Sequence, residues 1–537
     1  MNQNISTLIF FLRHDEPRNP NQDLYATLIQ QTAVVEEFDV PVTYLLEYDS
    51  MLDECYRQIL LKQRERLGER CEIGGWFEVV QPLVEEAGLE WRGRKGFKWD
   101  WHSHVGFSVG YTHEERKRLV DTYMKTFREY FGEYPVSIGS WAIDAYTLNY
   151  MAETYGIRAS CNCRDQWGTD GYTLWGGYYG QAYYPSRYNM LCPANSQENQ
   201  ISVPIFRMLG NDPIYQVDSK MDMNPDSLPD SCIRDCMTME PIYDHEGGGG
   251  GNTQWVDWFL QENFPSNTLS FSYLHVGQEN SFEWKQQEKG TRYQLEKLKQ
   301  WEREGRISLV TLKEAADWYR QTYAITPASS LTAFKDWRGL GHQSFWYQSR
   351  FYRMNVFVDE GRLYLRDMHR FCDTYRERYY DNVCISEAMC YDNLPVVDGN
   401  RWSGGSVRAG VSILLRHDQK EHPVEVEQMM VEYLSDCKMK LTVQTVHGMV
   451  VIECDEHCWC CTAPEGYQVV LRLVAGVEKL PIVSIEEKRI SFKHNNFSYD
   501  VLLKNGIAYS LKRPHILQVV SEKNTVTMML NEGCENA

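Results

Sequence analysis

The sequence has no dense stripe of lysine or arginine: 55 basic residues stand against 74 acidic ones, a net charge of −19 over 537 positions. Without a basic face there is little to neutralise a phosphate backbone, which argues against nucleic acid as a partner. No run approaches the ~18 apolar residues needed to cross a bilayer, which argues against a membrane partner. Residues 1–12 hold only a five-residue apolar run at 8–12, with no basic segment before it and Arg13-His14-Asp15-Glu16 directly after it. That pattern reads as a buried strand rather than an export signal, and the expected location is cytoplasmic. The 16 cysteines then read as mostly reduced thiols. The densest group, Cys454, His457, Cys458, Cys460 and Cys461, has no second pair at zinc-ribbon distance and reads as a hairpin ahead of a zinc site. Short-period repeats and low-complexity tails are also missing, and no feature speaks to oligomeric state.

What is present is enough apolar sequence for two domains. Up to about residue 323, short apolar runs alternate with amphipathic stretches, the pattern of repeated βα units around a parallel sheet. Eight strands are expected, at 8–12, 42–46, 71–73, 136–138, 157–161, 201–206, 269–274 and 307–310. Thr112-His113-Glu114-Glu115 is a capping box, and Asp144, Asn252 and Thr311 are placed to cap later helices. Two stretches exceed a minimal barrel, 163–200 and 208–251, and loops of that length are usually functional. The glycines at 247–251 read as a flexible connector. Beyond residue 325 strand-like runs dominate, for example 344–358, 411–416, 440–454 and 468–474, with turn signals at Asp359-Glu360-Gly361 and Lys504-Asn505-Gly506. The fold class is therefore α/β: a distorted (βα)7–8 barrel over residues 1–325, followed by an all-β sandwich over 326–537.

In such a barrel the residues just after each strand share one mouth. Candidate chemistry gathers there: His14, Asp15 and Glu16; His102 and His104; Arg164, Asp165, Gln166 and Asp170; His275 and Glu279. Carboxylates beside a His-x-His pair are the donor mix of a divalent ion, zinc before others, with Glu16, His102 and His104 as ligands. Such an ion would supply hydroxide for acyl hydrolysis, with Asp15 as base and His275 as acid. Without a metal, Asp15 or Glu16 paired with Asp165 or Glu279 would flank a glycosidic bond. Trp167, Trp175 and Tyr178 offer flat faces for sugar rings, beside polar groups of the same loop.

The segment 8–16 resembles the first motif of the polysaccharide deacetylase superfamily, and Trp101-His102-Ser103-His104 its second. Residues 145–161 resemble the helix and strand after its third motif, and Leu274-His275 its last. The resemblance covers most of residues 5–320 and extends to bacterial proteins that join a glycoside hydrolase/deacetylase-type barrel to a C-terminal β-sandwich. It implies a carbohydrate substrate, a bound divalent metal and deacetylation. A metal-free glycoside hydrolase and a sugar-binding barrel without turnover remain the alternatives.

Overall fold

The computed structural model describes residues 3–169, 172–210, 212–215, 237–244, 248–265, 267–404, 406–532 and 534–535. The first strand, β1 (Asn4–Leu12), is buried along almost its whole length, as a parallel strand covered on both faces must be. Seven more parallel strands follow: β2 (Val42–Leu46), β3 (Cys71–Trp76), β4 (Ser137–Gly139), β5 (Ala159–Asn162), β6 (Ile205–Arg207), β7 (Ser272–Val276) and β8 (Ser308–Val310). All eight fall where the apolar runs lie. The sheet runs β7-β1-β2-β3-β4-β5-β6, and β8 pairs with the first half of β1, making a nearly closed barrel. Between β6 and β7 no ladder forms among the described residues, and the seam is filled by Phe206 against Tyr273, ring centroids 4.8 Å apart.

The caps also fall where the sequence places them. Thr112 and Glu115 close a capping box on the helix His113–Phe131, and Thr311 with Glu314 on Leu312–Thr322. Asp144 and Asn252 accept from Thr147 N and Trp255 N. The glycine run needs correcting. Gly248 to Gly251 are buried, and a Cβ at Gly248 would meet the Trp255 ring at 2.2 Å, so the described part of this segment is closely packed chain.

Two antiparallel sheets form the C-terminal part. One runs from Ser329–Ala333 through Tyr352–Asp359, Arg362–Arg370 and Gly410–His417 to His515–Ser521 and Gly506–Ser510; the other runs from Gln428–Tyr433 through Gly448–Cys454 and Cys458–Thr462 to Ile482–Glu486. Their inner faces share one apolar core, a sandwich. The run 344–358 proves to be two strands, Gln343–Gln348 and Tyr352–Asp359, joined by a turn at Ser349-Arg350-Phe351. The two halves are stitched together. Met389–Asp392 leaves the sandwich to pair in parallel with Tyr172–Trp175, and Phe371, Cys384, Met389 and Tyr391 pack in the barrel's core. No helix among the described residues is long and apolar enough to cross a membrane.

Candidate active site

Arg13, the residue after β1, is buried in the barrel mouth. Its Nη2 lies 2.9 Å from Glu78 Oε2 and its Nε 3.0 Å from Glu279 Oε2. The indole of Trp99 lies 4.0 Å from the guanidinium, and its Nε1 donates to Glu78 Oε2 at 2.8 Å. The carboxylates of this mouth sit just past strands: Glu47 directly after β2, Glu78 two residues past β3, Glu279 three past β7. Gly277 makes the last position reachable. At φ 119°, a Cβ there would lie 2.0 Å from Ile9 O, so only glycine lets the chain turn over β1 and carry Glu279 to Arg13.

Glu47 is buried without a cation in contact, and its carboxyl faces Asp49 and Glu78. Burial, and then the charge of Asp49, hold Glu47 well above the ordinary carboxylate range. Burial raises Asp49 against the opposing pull of His14, and raises Glu78 against the opposing pull of Arg13. Carboxyls packed like this share protons, because two neighbouring anions out of water repel strongly. Electrostatic influence runs inward from His14 and Asp15 at the rim through Asp49, Glu47 and Glu78 to the ion-paired Arg13 and Glu279. Glu279 also accepts from the Ser281 hydroxyl. Nearby, half-buried Glu240 is raised by desolvation and accepts from Gln278 Nε2 at 3.0 Å.

The expected metal ligands are not assembled. Both Glu16 oxygens are taken by Arg18, Oε1 by Nε at 2.8 Å and Oε2 by Nη2 at 2.8 Å. His102 Nδ1 is 3.8 Å from Asp100 Oδ1, and its Nε2 is 3.9 Å from Glu387 Oε2. His104 Nδ1 faces the Ser386 carbonyl at 3.2 Å. The two histidines thus turn toward the segment that reaches over from the sandwich. Among the described residues no three His, Cys, Asp or Glu side chains are grouped to hold an ion. These residues therefore do not fit the divalent metal that the resemblance implies. Asp15 is partly exposed at the rim beside Asp49, and exposed His14 lies 3.1 Å from Asp53 Oδ2.

His275 also needs reassigning. Its Nδ1 accepts from Leu209 N at 3.0 Å, and its Nε2 faces Ile9 O at 3.4 Å. Burial pushes its pKa down to about 3, so the ring is neutral near pH 7. It staples the open seam between β6 and β7, and the one N–H of its neutral ring, on Nε2, is turned to the Ile9 carbonyl.

The supposed sugar loop is an interdomain joint. Asp165 is locked between Arg207 (Nη2, 3.1 Å) and Arg353 of the sandwich. Trp175 is buried with Nε1 on Asp398 Oδ2 at 3.0 Å, and Tyr178 is buried with its hydroxyl on Pro327 O at 2.8 Å. Gln166 is buried in the strand Gln166–Thr169, and Arg164 Nη1 donates to Asp165 O at 2.6 Å. The Trp167 side chain and Asp170 lie outside the described residues.

Solved structures share this architecture. The chain superposes on a protein from Parabacteroides distasonis described as a glycoside hydrolase/deacetylase, with a TM-score of 0.51 at 14% identity, over 73% of this chain and 91% of that one. At this identity the likeness shows the fold alone, a βα-barrel. Proteins from Mycobacterium smegmatis and Pseudomonas aeruginosa PAO1, each described by its likeness to polysaccharide deacetylases, match at TM-scores of 0.32 and 0.35, with 11% and 8% identity. Each covers 60% of this chain, and 91% and 93% of its own. No family model matches the sequence, and no curated protein does. In this barrel the residues that sequence reasoning missed are Arg13, Glu47, Asp49 and Glu78. The signal was available: Glu47 directly follows the run 42–46, and Glu78 follows the strand that Gly74-Gly75 made look finished at residue 73.

Proposed function

We propose that this barrel is a carbohydrate-active hydrolase that cleaves a poly- or oligosaccharide by proton transfer between carboxyl groups, with residues 1–325 as the catalytic domain and 326–537 as an accessory sandwich. One observation carries the proposal: at a single mouth, Glu279 is paired with Arg13 while Glu47 is buried against Asp49. Burial raises Glu47, and a carboxyl raised in this way suits the part of the acid. Glu47, held well above the ordinary carboxylate range by burial, is the acid, and Asp49 relays its proton toward the rim. Glu279, oriented by Arg13, is the carboxylate that meets the ring carbon or activates water, with Asp15 next to the entering substrate. Arg13 and Trp99 hold this geometry and exclude water. No step passes through a metal, because the ligand set does not fit one.

The test is hydrolysis of oligosaccharides and aryl glycosides by the purified protein, with and without chelator. Activity should survive chelation and fall by about 100-fold or more in Glu47→Gln and Glu279→Gln. Loss on chelation with recovery on added zinc would instead support metal-assisted deacetylation. A second reading, sugar binding without turnover, is favoured by the sealing of the Glu47 and Asp49 oxygens from solvent. Saturable glycan binding with no product from any substrate would support it.

A further inference from the structure

The sandwich carries a pair of thiols that the barrel chemistry does not use. In the strand Cys458–Thr462, Trp459 and Cys461 point into the core, while Cys458 and Cys460 share the outer, partly exposed face. Their sulfurs are 3.9 Å apart. The turn before the strand is built by Asp455, whose Oδ1 accepts from His457 N at 2.8 Å and from Cys458 N at 2.9 Å. This fixes the other oxygen, Oδ2, 3.2 Å from Cys458 Sγ. Tyr352 pins the turn by donating to Asp455 O and Cys458 O at 2.9 and 2.8 Å. On the far side, Cys460 Sγ lies 3.3 Å from Thr527 Oγ1, and Glu453 is its register partner on the neighbouring strand.

We propose that Cys458 and Cys460 form a thiol–disulfide exchange site, with Cys460 as the attacking thiol, Cys458 as the resolving thiol and Asp455 as its base. The co-reactant is a low-molecular-weight disulfide. The Cys460 thiolate attacks one sulfur, the S–S bond of the co-reactant breaks, and one thiolate leaves, giving a mixed disulfide on Cys460. Cys458 passes its proton to Asp455 Oδ2 and attacks Cys460 Sγ. The second thiolate leaves and takes up the proton. Two protein thiols are oxidised to one disulfide by two electrons, and the co-reactant is reduced to two thiols. The sulfurs must close from 3.9 Å to about 2.05 Å, a movement confined to two side chains and the strand between them. The chemistry of the pair agrees with these roles: its hydrogen bond with Cys458 brings the Cys460 thiol down to about 7, while the same contact holds Cys458 protonated.

The test treats the full-length folded protein with oxidised glutathione, quenches with iodoacetamide and maps peptides by mass. The exposed Cys55 serves as internal comparator. Cys460 should react about 10-fold faster than Cys55, and the wild type should end with a Cys458–Cys460 disulfide that dithiothreitol reverses. In Cys458→Ser the glutathione should stay on Cys460, and in Asp455→Asn the mixed disulfide should accumulate because its resolution is slowed. A Cys460 that reacts no faster than Cys55, or a wild type that keeps glutathione on Cys460 without closing the internal bond, would overturn the proposal.

Discussion

Asp165 and Arg353, neither with any solvent exposure, form an ion pair that crosses from the loop after β5 to the sandwich. The pair belongs to a larger network. Asp165 also binds Arg207, Arg353 forks onto Asp367 at 2.9 Å through both Nε and Nη2, and His369 bridges Asp367 and Asp398 at 3.3 and 3.4 Å. Two arginines and a histidine, whose pKa the adjoining Asp367 raises against burial, meet three carboxylates. Gly176 keeps φ 77° beside it, and a Cβ there would press to 2.7 Å from the His369 ring.

Removing one charge from this joint leaves buried partners uncompensated. Asp165→Asn should lower unfolding free energy by about 3–5 kcal/mol, measured by urea denaturation. A loss below about 1 kcal/mol, the size of an exposed pair, would show that the network does not hold the halves together.

Glu47 makes the opposite prediction. Its folded value lies above the ordinary 4.5, so the native state keeps a proton that the unfolded chain releases. Its contribution is therefore complete below pH 4.5 and lost as pH rises above that value. Glu47→Gln should flatten this decline and be more stable than wild type at neutral pH by about 1 kcal/mol or more, while losing activity. Thermal melts across pH 4–9 decide; a variant less stable at every pH refutes the buried acid.

Glu377 of the sandwich accepts from Ala145 N at 2.9 Å and Met190 N at 2.8 Å in the barrel, and burial with the nearby Asp144 pushes it up to about 8. Stability should therefore fall between pH 4.5 and about 8. In Glu377→Gln that slope should become shallower by this residue's share, with the part due to Glu47 remaining, even though one backbone hydrogen bond is lost and the absolute stability is lower. An unchanged slope would place the titration elsewhere.

His275 titrates in the other sense. With a folded value of about 3 against an ordinary 6.5, its stability contribution is present above pH 6.5 and lost as pH falls from there toward 3. His275→Gln should reduce that acid sensitivity and weaken the β6–β7 seam, while leaving the pH profile of kcat unchanged. A shifted kcat profile would restore the histidine as a proton donor.

The sequence by itself determined the architecture. Eight apolar runs became eight strands, and Thr112, Asp144, Asn252 and Thr311 capped the helices they precede, because burial on both faces and unpaired N–H groups are local demands that local residues must meet. The site was only partly legible. Glu279 could be named from its place after a strand, but Trp175, Tyr178 and Asp165 looked like a sugar platform until a sandwich some 200 residues away covered them. Tertiary structure alone decided that His275 spends both nitrogens on the main chain and that Glu47 lies against Asp49 and Glu78. A side chain's chemistry depends on which charges and how much water surround it, and those neighbours are set by packing between distant segments rather than by spacing along the chain.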